Sequence, residues 1–232
     1  MKFFSGLFIG LLAAVGIAAA AAYYAFGDLK NISFDKDRDR SKDISRTYEL
    51  AGFDRIELGG VFELDVTVGG DFSVEVSGAP DEMERVEARV EDGELVLDLR
   101  DEKRHRWGKD RSITARVTMP ALAGIDVSGV VDGEVRGVDS ETFDVSISGV
   151  GDMDLSGACG ALTADLSGVG DLDAKDLKCK TADITVSGVG DADVYASESA
   201  KATISGIGDI DIYGSPATVE KNAGMFSDIS VH

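Results

Sequence analysis

The chain has 232 residues, 43 acidic and 23 basic side chains and a formal charge of -20, enough sequence for one sizeable core or two small ones. Such an excess repels nucleic-acid phosphates and anionic lipid headgroups, which need Lys and Arg to displace their counterions, and excludes nucleic acid as a partner. Gly at 28 against Pro at three, with no three-residue period, excludes collagen and polyproline structure and suits many tight turns.

Residues 3–27 carry no charge over 25 positions. That length crosses a bilayer as a hydrophobic helix, with Tyr23 and Tyr24 as an interfacial pair. Lys2 and the run Ala20-Ala21-Ala22 equally fit a signal peptide cut near Ala22. Residues 1–27 therefore read as a transmembrane anchor or signal peptide, and both readings export the remainder. The β domain is expected to be periplasmic or extracellular, anchored to the membrane through 3–27 or released by cleavage. Residues 28–43 hold five acidic and five basic side chains with no apolar face, and read as a charged tether.

From residue 44 to about 120 short alternating runs take over. Phe53, Ile56 and Leu58 lead into Gly59-Gly60, and Phe62, Leu64, Val66 and Val68 alternate with polar residues before Gly69-Gly70-Asp71. Period-two alternation bounded by Gly pairs predicts half-buried strands. Phe72, Val74 and Val76 repeat the pattern up to Pro80. Residues 61–80 read as a degenerate copy of the later repeat with Gly70-Asp71 as its corner. Residues 81–90 have room for a helical turn, but Val86, Ala88 and Val90 alternate as a strand. Leu95, Leu97 and Leu99, then Ile113, Ala115, Val117 and Met119, give two more strands, separated by the basic loop 103–111 around Trp107. This part, 44–120, is expected to be the first, irregular coils of the fold, carrying an insertion.

From 121 to 232 one phrase returns: Ser128-Gly129-Val130-Val131-Asp132, Ser148-Gly149-Val150-Gly151-Asp152, Ser167-Gly168-Val169-Gly170-Asp171, Ser187-Gly188-Val189-Gly190-Asp191 and Ser205-Gly206-Ile207-Gly208-Asp209. The serines are 20, 19, 20 and 18 residues apart, the mark of one supersecondary unit stacked on itself. With the Ser as position zero, positions -3, -1, +2 and +7 are apolar in every copy and predict inward rows. Positions -2, +4 and +6 are polar, the last two almost wholly Asp. Two glycines per phrase do not suit a helix, whereas alternating strands broken by Gly corners fit each copy. The fold expected is all-β, a parallel β-solenoid (a right-handed β-helix) of about 18–20 residues per coil, with coils about 4.8 Å apart. Tyr213-Gly214-Ser215-Pro216 breaks the pattern, and 217–221 and 225–231 read as closing strands.

The column Asp132, Asp152, Asp171, Asp191 and Asp209 is the candidate binding edge. Stacked carboxylates repel unless solvated or bridged by a cation, and calcium would use Asp152, Asp154, Asp171, Asp173, Asp191 and Asp193. The period is far from that of calcium-binding solenoids, and no EF-hand loop is present, so no metal is assigned. Cys159 and Cys179 occupy equivalent places on adjacent coils, within disulfide reach in an oxidising compartment; two stacked thiols are the alternative.

Histidine occurs only at 105 and 232, so zinc hydrolysis and Ser-His-Asp or Cys-His relays lack their base in the repeats. Gly-x-Gly-Asp lacks the Lys-Ser/Thr of a phosphate loop, and no cofactor is expected. The repeats, preceded by Phe53-Asp54-Arg55-Ile56-Glu57-Leu58 and Phe62-Glu63-Leu64-Asp65-Val66, resemble the bacterial head GIN domain family (DUF2807), also described as an auto-transporter adhesin. The likeness covers about 44–230 and implies an exported, solenoid-like protein with no catalytic residues to transfer. The function expected is a non-enzymatic, adhesin-like or scaffolding solenoid that binds another envelope protein or a glycan, with Tyr195 and Tyr213 as hints of a binding face. The alternative is a glycan-cleaving solenoid enzyme using paired acids.

Overall fold

The computed structural model describes residues 42–100 and 113–232. The uncharged segment 3–27, nearly all of the tether and the basic loop 103–111 lie outside the described residues. Among the described residues no helix is long and apolar enough to cross a membrane.

Among the described residues fifteen strands form one continuous sheet wound into coils. They are β1 (Ile44–Tyr48), β2 (Arg55–Leu58), β3 (Val61–Val68), β4 (Ser73–Gly78), β5 (Val86–Glu91), β6 (Glu94–Leu99), β7 (Ile113–Met119), β8 (Gly124–Val127), β9 (Val130–Ile147), β10 (Val150–Leu166), β11 (Leu172–Val186), β12 (Ala192–Ile204), β13 (Gly208–Tyr213), β14 (Thr218–Ala223) and β15 (Ser227–Val231). A single helical turn, α1 (Pro80–Met83), precedes β5. The long strands β9 to β12 bend around the corners of a coil, and each pairs in parallel with the next.

Register confirms the repeat alignment. Val145 lies beside Ala164 and Ala164 beside Ile184, so equivalent positions of successive copies are direct neighbours. The rows at -3 and -1, such as Ile125, Val145 and Ile184 or Val127, Ile147 and Val186, are buried, as is the +7 row with Val135, Leu155, Val194 and Ile212. A further inward row stands at +5, where Met153, Leu172, Ala192 and Ile210 are buried. Full burial of a Val, Leu or Ile contributes about 1.5–3 kcal/mol, several times a typical exposed ion pair, so these rows hold the stack together.

The +2 row departs from expectation. Val169, Val189 and Ile207 are 39%, 49% and 55% exposed, pointing out of the coil. The pleat explains this: with -3, -1, +5 and +7 facing in, the even position +2 falls on the outer side of the same period-two alternation.

The amino-terminal part is coil and cap together. β3 pairs with β9 with Val61 opposite Val130 and Glu63 opposite Asp132. The degenerate copy therefore has Gly59-Gly60 at its corner, displacing the Gly70-Asp71 assignment, and Gly129 shows why. A Cβ there would lie 2.1 Å from the Gly60 carbonyl oxygen, so chain from the two corners is in direct contact. β2, β6 and β8, and likewise β3, β7 and β9, stack in parallel. β4 pairs antiparallel with β7, β1 with β4, and β5 with β6. β4 and β5 run against the coil strands and β1 adds to the outer edge of β4, so these three are not further coils; they close the end of the stack, which a parallel solenoid needs.

Arg55 ties this cap to the repeats. Its guanidinium lies 3.1 Å from Asp144, 3.3 Å from Glu94 and 3.6 Å from Asp126, reaching three neighbouring strands. Gly124 leaves room for it, since a Cβ there would come within 2.7 Å of the guanidinium.

At the other end β14 extends β12 and β15 extends β13, matching the expected closing strands. Cys159 and Cys179 are directly paired in register and joined by a disulfide, with Cα atoms 4.4 Å apart. Both are buried. Cross-linking residues 20 apart removes denatured-state freedom worth about 3 kcal/mol. Replacing both with Ser is expected to lower the melting temperature by about 6–12 °C and to abolish its sensitivity to reductant, measured by circular dichroism with and without dithiothreitol.

Candidate functional site

The acidic edge is built by the corner phrase. In a representative coil the Cβ that a side chain would place at Gly188 would sit 1.9 Å from the Gly168 carbonyl oxygen, so only hydrogen fits between the stacked corners. At Gly190 the backbone takes φ 158° and again faces a carbonyl, here of Gly170. This turn redirects the ladder. Gly190 donates its N–H to Ile207 in the next coil, as Gly170 does to Val189. The N–H of the following Asp then points back toward the preceding coil, where the Asp side chain one coil earlier meets it.

Asp152 Oδ1 accepts from the Asp171 N–H at 3.1 Å, Asp171 from Asp191 at 2.9 Å, Asp191 from Asp209 at 2.8 Å and Asp209 from Asp228 at 2.9 Å. The Asp column is thus a chain of side-chain-to-backbone bonds between coils that completes the corner's hydrogen bonding. Serine acts in the opposite sense: Ser128 and Ser148 Oγ each donate to the carbonyl of the preceding coil, Leu58 and Val127 respectively. Asp152, Asp171, Asp191 and Asp209 remain exposed, and among the described residues none of the four is ion-paired with Lys or Arg.

The +6 row runs alongside. Asp193 is held above the usual carboxylate range, first by burial and then by repulsion from Asp173 and Asp211. Lys175 pairs with Asp173, and this bond raises the lysine's own pKa. Together Asp171, Asp173, Asp191, Asp193, Asp209 and Asp211 line a shallow open depression of about 340 Å³. The acids lie in rows and do not converge: among the described residues no three Asp, Glu, His or Cys side chains are placed to hold a metal ion, the calcium candidates included. Among the described residues the raised Asp193 stands in a line of like acids, beside Asp173 and Asp211.

Beyond +6 lies the +8 row: Arg136, Ser156, Lys175, Tyr195, Tyr213 and His232. Tyr195 and Tyr213 are in register and half-exposed. Tyr213 stacks on His232 with centroids 5.1 Å apart, and the His232 ring nitrogen lies 2.8 Å from Asp211. The Lys178 ammonium sits 4.3 Å from the Tyr195 ring centroid. Carboxylates at +6, flanked by aromatic rings at +8, make the chemically richest part of the surface. The two tyrosines were visible in the sequence; the contribution of His232 depends on the closing strand and had no local signal.

The stack of coils carries shallow, outward-facing polar and aromatic rows whose chemistry repeats from coil to coil. The family model described as "Putative auto-transporter adhesin, head GIN domain" matches residues 52–216, and the chain belongs to that family. A "putative adhesin" from Bacteroides fragilis NCTC 9343 is similar at 25% identity and TM-score 0.67, covering 82% of this chain and 97% of its own. A "putative adhesin" from Parabacteroides distasonis ATCC 8503 matches at 18% identity and TM-score 0.43, covering 82% and 97%. A "putative lipid binding protein" from the same organism matches at 15% identity and TM-score 0.47, covering 83% and 97%. No curated protein matches the chain.

Two outcomes test the electrostatics of this edge. Asp191→Ala leaves the Asp209 N–H without its acceptor and is expected to cost about 1–2 kcal/mol by denaturant titration, whereas Asp191→Asn keeps the acceptor and stays near wild type. For Asp193, the raised folded pKa means that ionisation opposes folding. The penalty is present at neutral pH and disappears as pH falls through that raised value. Asp193→Asn is therefore expected to raise the melting temperature at pH 7 by about 1–3 °C and to lose this advantage below about pH 4, read from melts across pH.

Proposed function

We propose that this protein is an exported, non-enzymatic, adhesin-like module that binds a glycan or another envelope component through the outer face of its coils. The supporting observation is the face where Tyr195, Tyr213 and His232 adjoin Asp193 and Asp211. Aromatic side chains offer apolar contact area at low conformational cost, and neighbouring carboxylates accept hydrogen bonds from hydroxyl groups. Family membership supports the same reading, since it points to adhesion and an envelope location. The segment 3–27 supplies the membrane anchor or the export signal. The column from Asp132 to Asp209 contributes to the edge, although its first task is internal bonding.

Binding of the purified chain to an array of bacterial and host glycans tests this. Tyr195→Ala with Tyr213→Ala is expected to weaken captured glycans at least about tenfold while leaving the melting temperature within a few degrees. An array with no binding, together with no envelope protein cross-linked through this face, would overturn the proposal.

A further inference from the structure

The exposed +2 row has no role in the core. Val169, Val189 and Ile207 form a ladder in which each is bridged to the next through its backbone. The closing strand begins at Ser227 opposite Gly208, and Phe226, in the turn just before it, stands at the next register position after Ile207. Exposure rises along it, from 39% at Val169 through 49% and 55% to 63% at Phe226. On a protein of charge -20 these exposed apolar side chains form, among the described residues, an unpartnered apolar face.

Its surroundings define what would cover it. No Lys or Arg occurs anywhere in 146–154, 165–173, 185–193 or 203–211, the stretches that carry rows -2 to +6. On one side of the ladder stand the Ser hydroxyls, and on the other Asp171, Asp191, Asp209 and Asp228, whose carboxylates stay exposed while accepting one backbone bond each. An anionic lipid or a second copy of this acidic edge would meet like charge. A cationic, apolar partner would meet opposite charge and a matching stripe.

Spacing narrows the choice of partner. The coils repeat at about 4.8 Å. The apolar positions of an amphipathic helix recur every 3.5 residues or so, about 5.3 Å along its axis. Alternate side chains of a strand recur at about 6.6 Å. Over the three intervals from Val169 to Phe226 the helix falls out of step by about 1.5 Å and the strand by more than 5 Å.

We infer that the Val169–Val189–Ile207–Phe226 ladder docks a basic amphipathic helix lying along the solenoid axis, its apolar stripe on the ladder and its Lys or Arg residues over the Asp column. The inference rests on the reading of the solenoid as a binding module and names a second surface and partner for it.

The probe is a 14-residue Leu/Lys peptide with Leu at i, i+3, i+4 and i+7, labelled for fluorescence anisotropy against the full 232-residue chain. A peptide of the same composition, scrambled to remove the apolar face, is the control. The helical peptide is expected to bind at least about tenfold tighter than the scrambled one, and Val189→Ser with Ile207→Ser to remove that tenfold at unchanged net charge. Both positions are exposed, and an unchanged melting temperature verifies the fold. Equal affinity for the two peptides, or for wild type and the Ser variant, would show plain charge attraction and overturn the inference. Binding of neutral phosphatidylcholine vesicles that the Ser variant abolishes, with no preference for the helical peptide, would assign the ladder to lipid and overturn it as well. Glycan capture through Tyr195 and Tyr213 is measured on the same Ser variant, so failure of the peptide arm leaves the adhesin reading to stand or fall by itself.

Discussion

Every coil must hand its backbone hydrogen bonds to the next, including at the corner where the chain turns. Along the straight parts the parallel ladder does this automatically. At Ser-Gly-x-Gly-Asp it cannot, because the turn aims one N–H at a place where no carbonyl waits. The sequence solves this locally. Hydrogen at Gly188 lets the corners touch, φ at Gly190 redirects the chain, and Asp171 reaches across to receive the Asp191 N–H. An unpaired backbone group would cost about 1–3 kcal/mol where it is shielded from water, and the fault would recur at the N–H groups of Asp171, Asp191, Asp209 and Asp228. Regular stacking of the apolar rows depends on removing it.

That solution carries an electrostatic consequence. Carboxylates stacked at the coil spacing repel by about 1 kcal/mol per pair in water, and more where water is thinned. The +4 column tolerates this because its members are exposed and each accepts an N–H. The +6 row, more covered, shows the strain in Asp193 and draws in Lys175 beside Asp173. Acidic excess, so conspicuous in the composition, therefore has a backbone origin as well as a solubility one.

The solenoid and its inward rows at -3, -1 and +7 were legible because period and alternation are properties of the chain itself. The outward turn of Val169, Val189 and Ile207 follows the same alternation, +2 being out of phase with -1 and +7, but it was masked because these side chains are apolar and an apolar row reads as an inward one. The end cap was hidden for a related reason: β4 alternates just as a coil strand does, and nothing in Val74 or Val76 states whether its partner runs parallel or antiparallel. The corner Asp read as a surface mark because a carboxylate bound to a main-chain N–H one coil away looks, in sequence, like any solvated acid. Tyr195 and Tyr213 were readable; their company with His232 was not, since it needs the closing strand to return 19 residues later.

The disulfide acquires a further meaning if the domain bears mechanical load between a tether and a bound target. Pulled from its carboxyl end, a parallel stack yields by unzipping one coil after another, each rupture releasing a coil's length of chain. Peeling can proceed through β15, β14, β13 and β12 until it reaches Cys179. There the covalent rung holds the 20-residue span back to Cys159 out of the extension, withholding about 65–70 Å of contour length. The coils toward the amino terminus would then remain folded as a template on which the peeled coils rewind when tension falls.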